Sequence, residues 1–301
     1  MMGHPLKIAA AAAAALLLAI PAQAQQASCR LRIDANPSSW IINGYDPFAN
    51  NEPSGNFDLI FTNDGDAECV FYPIFILDQE PFGLRSISGG RANYGVVDLF
   101  GGYDATPVGG RTRRQVSRRS VAVPPRGQQV VQYRLIVDEA GLSRSGLHEQ
   151  RVELQAEDLE GVPITSRQLV LGVDVLPSAT LGLSGAFRLN NGQAQVDLGE
   201  LQEGVAEVPL QLRVQSTGPY KLTLESMNNG RLVLPGTDWF VSYGLALGGQ
   251  SITLSGGRGE YTGTTPNMHQ DSLAVRFQIG DVSDRRAGIY RDIISVAVSP
   301  L

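Results

Sequence analysis

Few residues in this chain have the types and spacing that covalent chemistry requires. Beyond the N-terminal apolar stretch the histidines are His148 and His269 alone, and neither belongs to an H-E-x-x-H motif. No G-x-S-x-G elbow occurs, and the two cysteines, Cys29 and Cys69, lack metal-site spacing. Carboxylate pairs of the glycosidase kind meet only in three dimensions, so spacing does not test for them. The expectation is a protein that is not an enzyme and holds no cofactor and no metal. Binding chemistry is better represented. Phe82, Tyr94, Phe100 and Tyr103 lie among glycines in residues 78–110 and suit a hydrophobic or stacking contact with a receptor. The alternative is that they fill the core. Arg111, Arg113, Arg114, Arg118 and Arg119 form a cluster able to grip an acidic surface polymer. The alternative there is a solvated loop.

The elements that would position these residues follow from composition. Lys7, the apolar run Ile8 to Ile20 and the small-residue site Ala22-Gln23-Ala24 read as a cleavable secretory signal over residues 1–24. The run is too short to span a bilayer. An even cysteine count in an exported chain predicts a Cys29–Cys69 disulfide. Closing so long a loop stabilises a domain by about 4 kcal/mol on the chain-entropy model. The leader carries one lysine and no acid, so the rest of a chain with 24 basic and 30 acidic residues is markedly acidic. That argues against a general partner among nucleic acids or anionic membranes.

Glycine (34) and proline (17) are frequent, apolar segments are short, and no 3.6-residue period persists for three turns. An all-β fold follows. Alternating segments appear at Cys29 to Ala35, Trp40 to Ile42, Asn56 to Thr62, Val70 to Leu77, Gln128 to Val137, Arg151 to Gln155 and Gln168 to Val175. Residues 78–119 look looser. The chain then repeats itself. Val130 to Asp138 matches Ser272 to Gly280 at an offset of 142, and the same offset puts Gly146 on Gly288, His148 on Tyr290, Val152 on Ile294 and Leu154 on Val296. Two copies of one sandwich are expected, as domains 25–177 and 178–301. In the first copy a turn at Glu160-Gly161 leads to one more strand. In the second nothing follows Leu301, so that copy looks one strand short.

The final segment, A-G-I-Y-R-D-I-I-S-V-A-V-S-P-L, places Tyr290, Ile294, Val296 and Val298 on one strand face. Such an apolar strand with an uncovered edge is an aggregation hazard unless another chain supplies a partner. The alternative is that it pairs only within its own domain. Asp292 shares the face, and a buried carboxylate needs donors, which predicts a hydrogen-bonded structural role.

G-I-Y-R-D-I-I-S-V-A-V resembles the terminal G-x-Y-x-D-x-[IL]-x-V-x-V motif of spore coat protein U domains, the fold of archaic chaperone–usher pilus subunits. Tyr220 to Leu232 and Phe240 to Gly249 are similar to other recurring stretches of that family, so the likeness covers most of residues 190–301. The first copy has His148 and Gln150 where the motif has Tyr and Asp. The resemblance implies tandem immunoglobulin-like sandwiches, the second lacking its final strand. It implies strand donation by a periplasmic chaperone and then by an adjacent pilin subunit, with assembly through an outer-membrane usher. Tyr290, Ile294, Val296, Val298 and Leu301 would then face the chaperone or donor strand. With Cys29 so close to the cleavage site there is no room for a donor extension, which suggests a two-domain tip adhesin displayed on the cell surface. The rival from another class is a free-standing exported binding protein for carbohydrate or envelope polymer.

Overall fold

The computed structural model describes residues 28–34, 37–87, 89–107 and 119–301. The leader, and Arg111, Arg113, Arg114 and Arg118 of the arginine cluster, lie outside the described residues. The fold is all-β: two immunoglobulin-like sandwiches in tandem, each with its own hydrophobic core.

The first sandwich contains β1 (Leu31–Asp34), β2 (Ser39–Tyr45), β3 (Ser54–Asn63), β4 (Cys69–Leu77), β5 (Leu84–Ser86), β6 (Arg91–Ala92), β7 (Tyr94–Asp98), β8 (Tyr103–Asp104), β9 (Val121–Val123), β10 (Gln128–Val137), β11 (Gly146–Glu157) and β12 (Pro163–Val175). One sheet has the order β1-β3-β10-β7-β8; the other has β2-β12-β11-β4-β9, with β5 attached to β11 and β6 to β5. The two-residue period decides what goes inside. In β10, Val131, Tyr133, Leu135 and Val137 are buried while Gln132, Arg134 and Ile136 face out. Burying each such side chain contributes roughly 1.5–3 kcal/mol. Phe57, Phe75 and Tyr133 pack ring to ring at the centre. Cys29 and Cys69 are bonded, fastening the entry to β1 onto β4.

The second sandwich contains β13 (Ala179–Gly185), β14 (Arg188–Asn190), β15 (Gln193–Gln195), β16 (Gly204–Ser216), β17 (Tyr220–Ser226), β18 (Arg231–Val233), β19 (Phe240–Leu247), β20 (Gln250–Ile252), β21 (Arg258–Gly263), β22 (His269–Ile279) and β23 (Ile294–Pro300). Its sheets run β13-β16-β22-β19-β18 and β21-β17-β23, with β14-β15 a separate hairpin. Set beside β1-β3-β10-β7 and β9-β4-β11-β12, the inner order corresponds strand for strand until β23; at the edge, β8 follows β7 in the chain whereas β18 precedes β19. Registers agree as well: Tyr133 faces Phe57 where Val275, 142 residues on, faces Leu210. Val152 faces Leu77 where Ile294 faces Ser226. β11 is bonded to β4 on one side and β12 on the other, whereas β23 is bonded to β17 alone among the described residues.

Candidate functional site

The candidate site is the seam where a counterpart of β12 would lie. On β23, Ile294, Val296 and Val298 face the second core yet remain half-covered, as do Tyr290 and Asp292 just before it. Leu181 and Leu183 of β13 are half-covered too. The imbalance is general. Among the described residues the first core has 28 buried apolar residues and five half-covered ones packed on it; the second has 17 and 14. Its seven residues give β23 an edge roughly 23 Å long that pairs with no strand among the described residues. β13 approaches β23 to within 8 Å between Cα atoms at several points. A strand lying between two others sets them about 9.6 Å apart, so inserting one here moves these edges outward.

Tyr290 was expected within the strand; instead β23 begins at Ile294. The reason is Asp292. Its Oδ1 accepts from Asn228 N (3.0 Å) and from Ile293 N (2.8 Å). Its Oδ2 accepts from Ser226 Oγ and Tyr243 Oη, each at 2.6 Å. These bonds take the main chain away from ladder geometry, leaving an isolated bridge between Arg291 and Val233. Asp292 thereby has the donors that a half-buried carboxylate needs. Burial, then the bond to Asp292, holds the Tyr243 hydroxyl above the ordinary tyrosine range. Tyr290 Oη donates to Arg286 O at 2.8 Å, and Leu301 N donates to Pro219 O at 2.9 Å with its side chain exposed.

The four aromatics of the first sandwich separate into two pairs. Tyr94 is fully buried and stacks on half-buried Phe82, ring centroids 4.6 Å apart. This corrects the expectation for Tyr94: it is core and cannot meet a receptor. Burial raises its hydroxyl well above the usual range. Phe100 is 84% exposed, and Tyr103 is partly exposed with its ring over Gly101. Arg119 stands 5.0 Å from the Phe100 centroid and pairs with Asp98 at 2.6 Å. Its charge is thus already matched, which removes it from an acid-gripping cluster. Beside them opens a shallow trough of 740 Å³ lined by Leu99, Phe100, Arg119, Val130 and Gln132. Sequence reasoning missed Val130, whose exposed side chain sits directly across from exposed Ile60. A polar-to-apolar break in the outward parity of β10 was the available signal.

The histidines serve main-chain carbonyls. Fully buried His148 contacts Arg144 O through Nε2 at 3.1 Å, and His269 contacts Asn267 O through Nδ1 at 2.6 Å. No group of three potential metal ligands occurs among the described residues.

No family model matches this chain, and no curated protein matches it. Solved structures do. A chain from the CsuC–CsuE chaperone–tip adhesion subunit complex of the archaic Csu pili of Acinetobacter baumannii is 14% identical, over 86% of this chain and 97% of that one, with a TM-score of 0.46. The CfaE adhesin of the CFA/I fimbria of enterotoxigenic Escherichia coli is 11% identical, over 89% and 94%, with a TM-score of 0.34. A family 123 glycoside hydrolase from Clostridium perfringens also matches, over 46% of this chain and 23% of its own, with a TM-score of 0.28. Likeness at this level says nothing of what the chain binds.

Proposed function

We propose that the second sandwich accepts a β-strand from another polypeptide, and that the protein is the tip adhesin of an archaic chaperone–usher pilus. The observation that carries this is the one-sided pairing of β23 over a half-covered apolar face, beside a first sandwich in which β12 completes the same position. The terminal motif shared with spore coat protein U domains supports the pilus setting. On this reading residues 25–177 and 178–301 are the two functional units, and the protein is exported to the cell surface. A periplasmic chaperone fills the seam first. At the outer-membrane usher the adjacent subunit replaces it, its side chains seating against Tyr290, Ile294, Val296 and Val298. Surface contact then falls to the first sandwich, where Phe100 and Tyr103 at the β7–β8 turn are the exposed aromatics.

The repeat supplies the test. Leu301 falls on Leu159 at the offset of 142, so a copy of residues 160–177 grafted after Leu301 reproduces the turn and strand that complete the first sandwich. The expected outcome is a second sandwich that melts higher and resists proteolysis. A soluble monomer whose melting ignores the graft and any added strand peptide leaves the free-standing binding protein as the better description.

A further inference from the structure

One loop of the first sandwich touches the second. Ser143 O accepts from Met268 N at 2.7 Å, and Arg144 Nε donates to Asn267 Oδ1. Residues 143 and 144 lie just before β11, and at the offset of 142 they fall on Arg285 and Arg286, in the loop that leads towards β23. The correspondence extends to how each loop is held. His148 on β11 bonds the carbonyl of Arg144 four residues back. Tyr290, its counterpart, bonds the carbonyl of Arg286 four residues back. The side chains differ, yet both hold the same carbonyl.

What surrounds the second loop differs from the first. Arg285 and Arg286 are exposed, and Ile289 beside them is 68% exposed. Met227 and Ile293, joined by a main-chain bond at 2.9 Å, put two more exposed apolar side chains at the start of β23. Trp239 is exposed, and Phe240 lies beneath the guanidinium groups of Arg231 and Arg285. Few monomer surfaces gather apolar side chains and arginines in this way without a partner.

We propose that loop 281–289 docks on the folded body of the adjacent subunit whose strand fills the seam, by repeating the contact that Ser143 and Arg144 make on Asn267 and Met268. This rests on the strand-accepting reading of the seam. The geometry follows from the first junction. β12 completes the first sandwich and leads through Leu176-Pro177-Ser178 straight into the second, so strand and docked body belong to one chain segment. A donor that fills the second seam in the same direction delivers its own body to loop 281–289. The partner's chemistry follows too: a β-sandwich whose loop presents a free main-chain N–H to Arg285 O and an amide or carboxylate oxygen to the Arg286 guanidinium. A contact repeated head to tail in this way propagates a fibre with a fixed angle between units.

The experiment extends the full chain after Leu301 by a copy of residues 160–301, closed by a second copy of residues 160–177, so that every seam has a strand. The reference cross-link is Ser143→Cys with Met268→Cys in the unextended chain. The test cross-link is Arg285→Cys with the same Met268→Cys change in the appended copy. The expected result is a higher melting point together with a test disulfide formed as readily as the reference. Melting that rises while the test pair stays reduced overturns the docking contact and leaves the seam reading intact. Melting that does not rise sinks the seam reading and the docking with it. A reference pair that fails to form overturns the junction from which the contact was read.

Discussion

Tyr243 Oη donates to Asp292 Oδ2 at 2.6 Å, a bond from β19 to the residues entering β23, in the opposite sheet. With Ser226 on the same oxygen it fixes where the open strand begins. Tyr243→Phe should cost about 1–3 kcal/mol, because a partly desolvated carboxylate loses a donor. Calorimetry should show the second sandwich melting lower while the first is unchanged.

Val296→Asp places a charge on the half-covered face of β23. It should cost the unfilled protein only about 1 kcal/mol, since that side chain is only half-covered. Acceptance of the grafted strand should be lost, because closing the seam would bury an unpaired carboxylate. Melting curves with and without the graft measure both effects.

Tyr94→Ala and Phe100→Ala should separate packing from contact. The first removes a buried ring stacked on Phe82 and should cost about 3–5 kcal/mol. The second removes an exposed ring and should change stability by no more than about 0.5 kcal/mol. Adsorption to apolar surfaces, measured on folded protein, should fall for Phe100→Ala.

Alkaline pH should unfold the protein through its buried tyrosines. Burial, and next the nearby Glu139, pushes the Tyr45 hydroxyl up to about 12. Tyr94 and Tyr133 are raised further, chiefly by burial. A raised value means that the folded state favours the protonated phenol. Their contribution is therefore complete below the unfolded value near 10 and declines as pH climbs above it. Ultraviolet titration should show these phenols ionising together with loss of structure.

Reduction of Cys29–Cys69 should weaken only the sandwich that contains it. A sequence separation of 40 residues gives about 4 kcal/mol on the chain-entropy model. A calorimetric trace with reductant should show one transition moving down and the other holding.

Much of this was legible in the sequence because a sandwich strand writes its two faces into alternate residues. β10 and β22, and β11 with the end of β23, announced themselves that way, and their constant offset exposed the missing partner. Alternation does not say whether a short aromatic segment is a strand at all. Tyr94, Val96 and Asp98 are the inward parity of β7, yet the glycine pairs at 89–90 and 101–102 on either side made them look like loop. Arg119 was unreadable for a different reason. Its partners Asp98 and Phe100 lie about twenty positions back and meet it only once β7 and β9 are folded. The departure of Asp292 from strand geometry required four donors from three segments, and no local pattern reports such a convergence.

The long pairing of β11 with β12 has a mechanical consequence. Its backbone register runs from Gly146 opposite Val175 to Glu157 opposite Pro163, and the chain leaves for the second sandwich from the Val175 end. A pull between the sandwiches therefore runs along β12, parallel to its axis. All the rungs of that ladder are strained together, where a perpendicular pull would open them one after another. β2, parallel to β12 on its other side, shares the load. A cell hanging in flow by such a joint would slide a whole strand before it came loose.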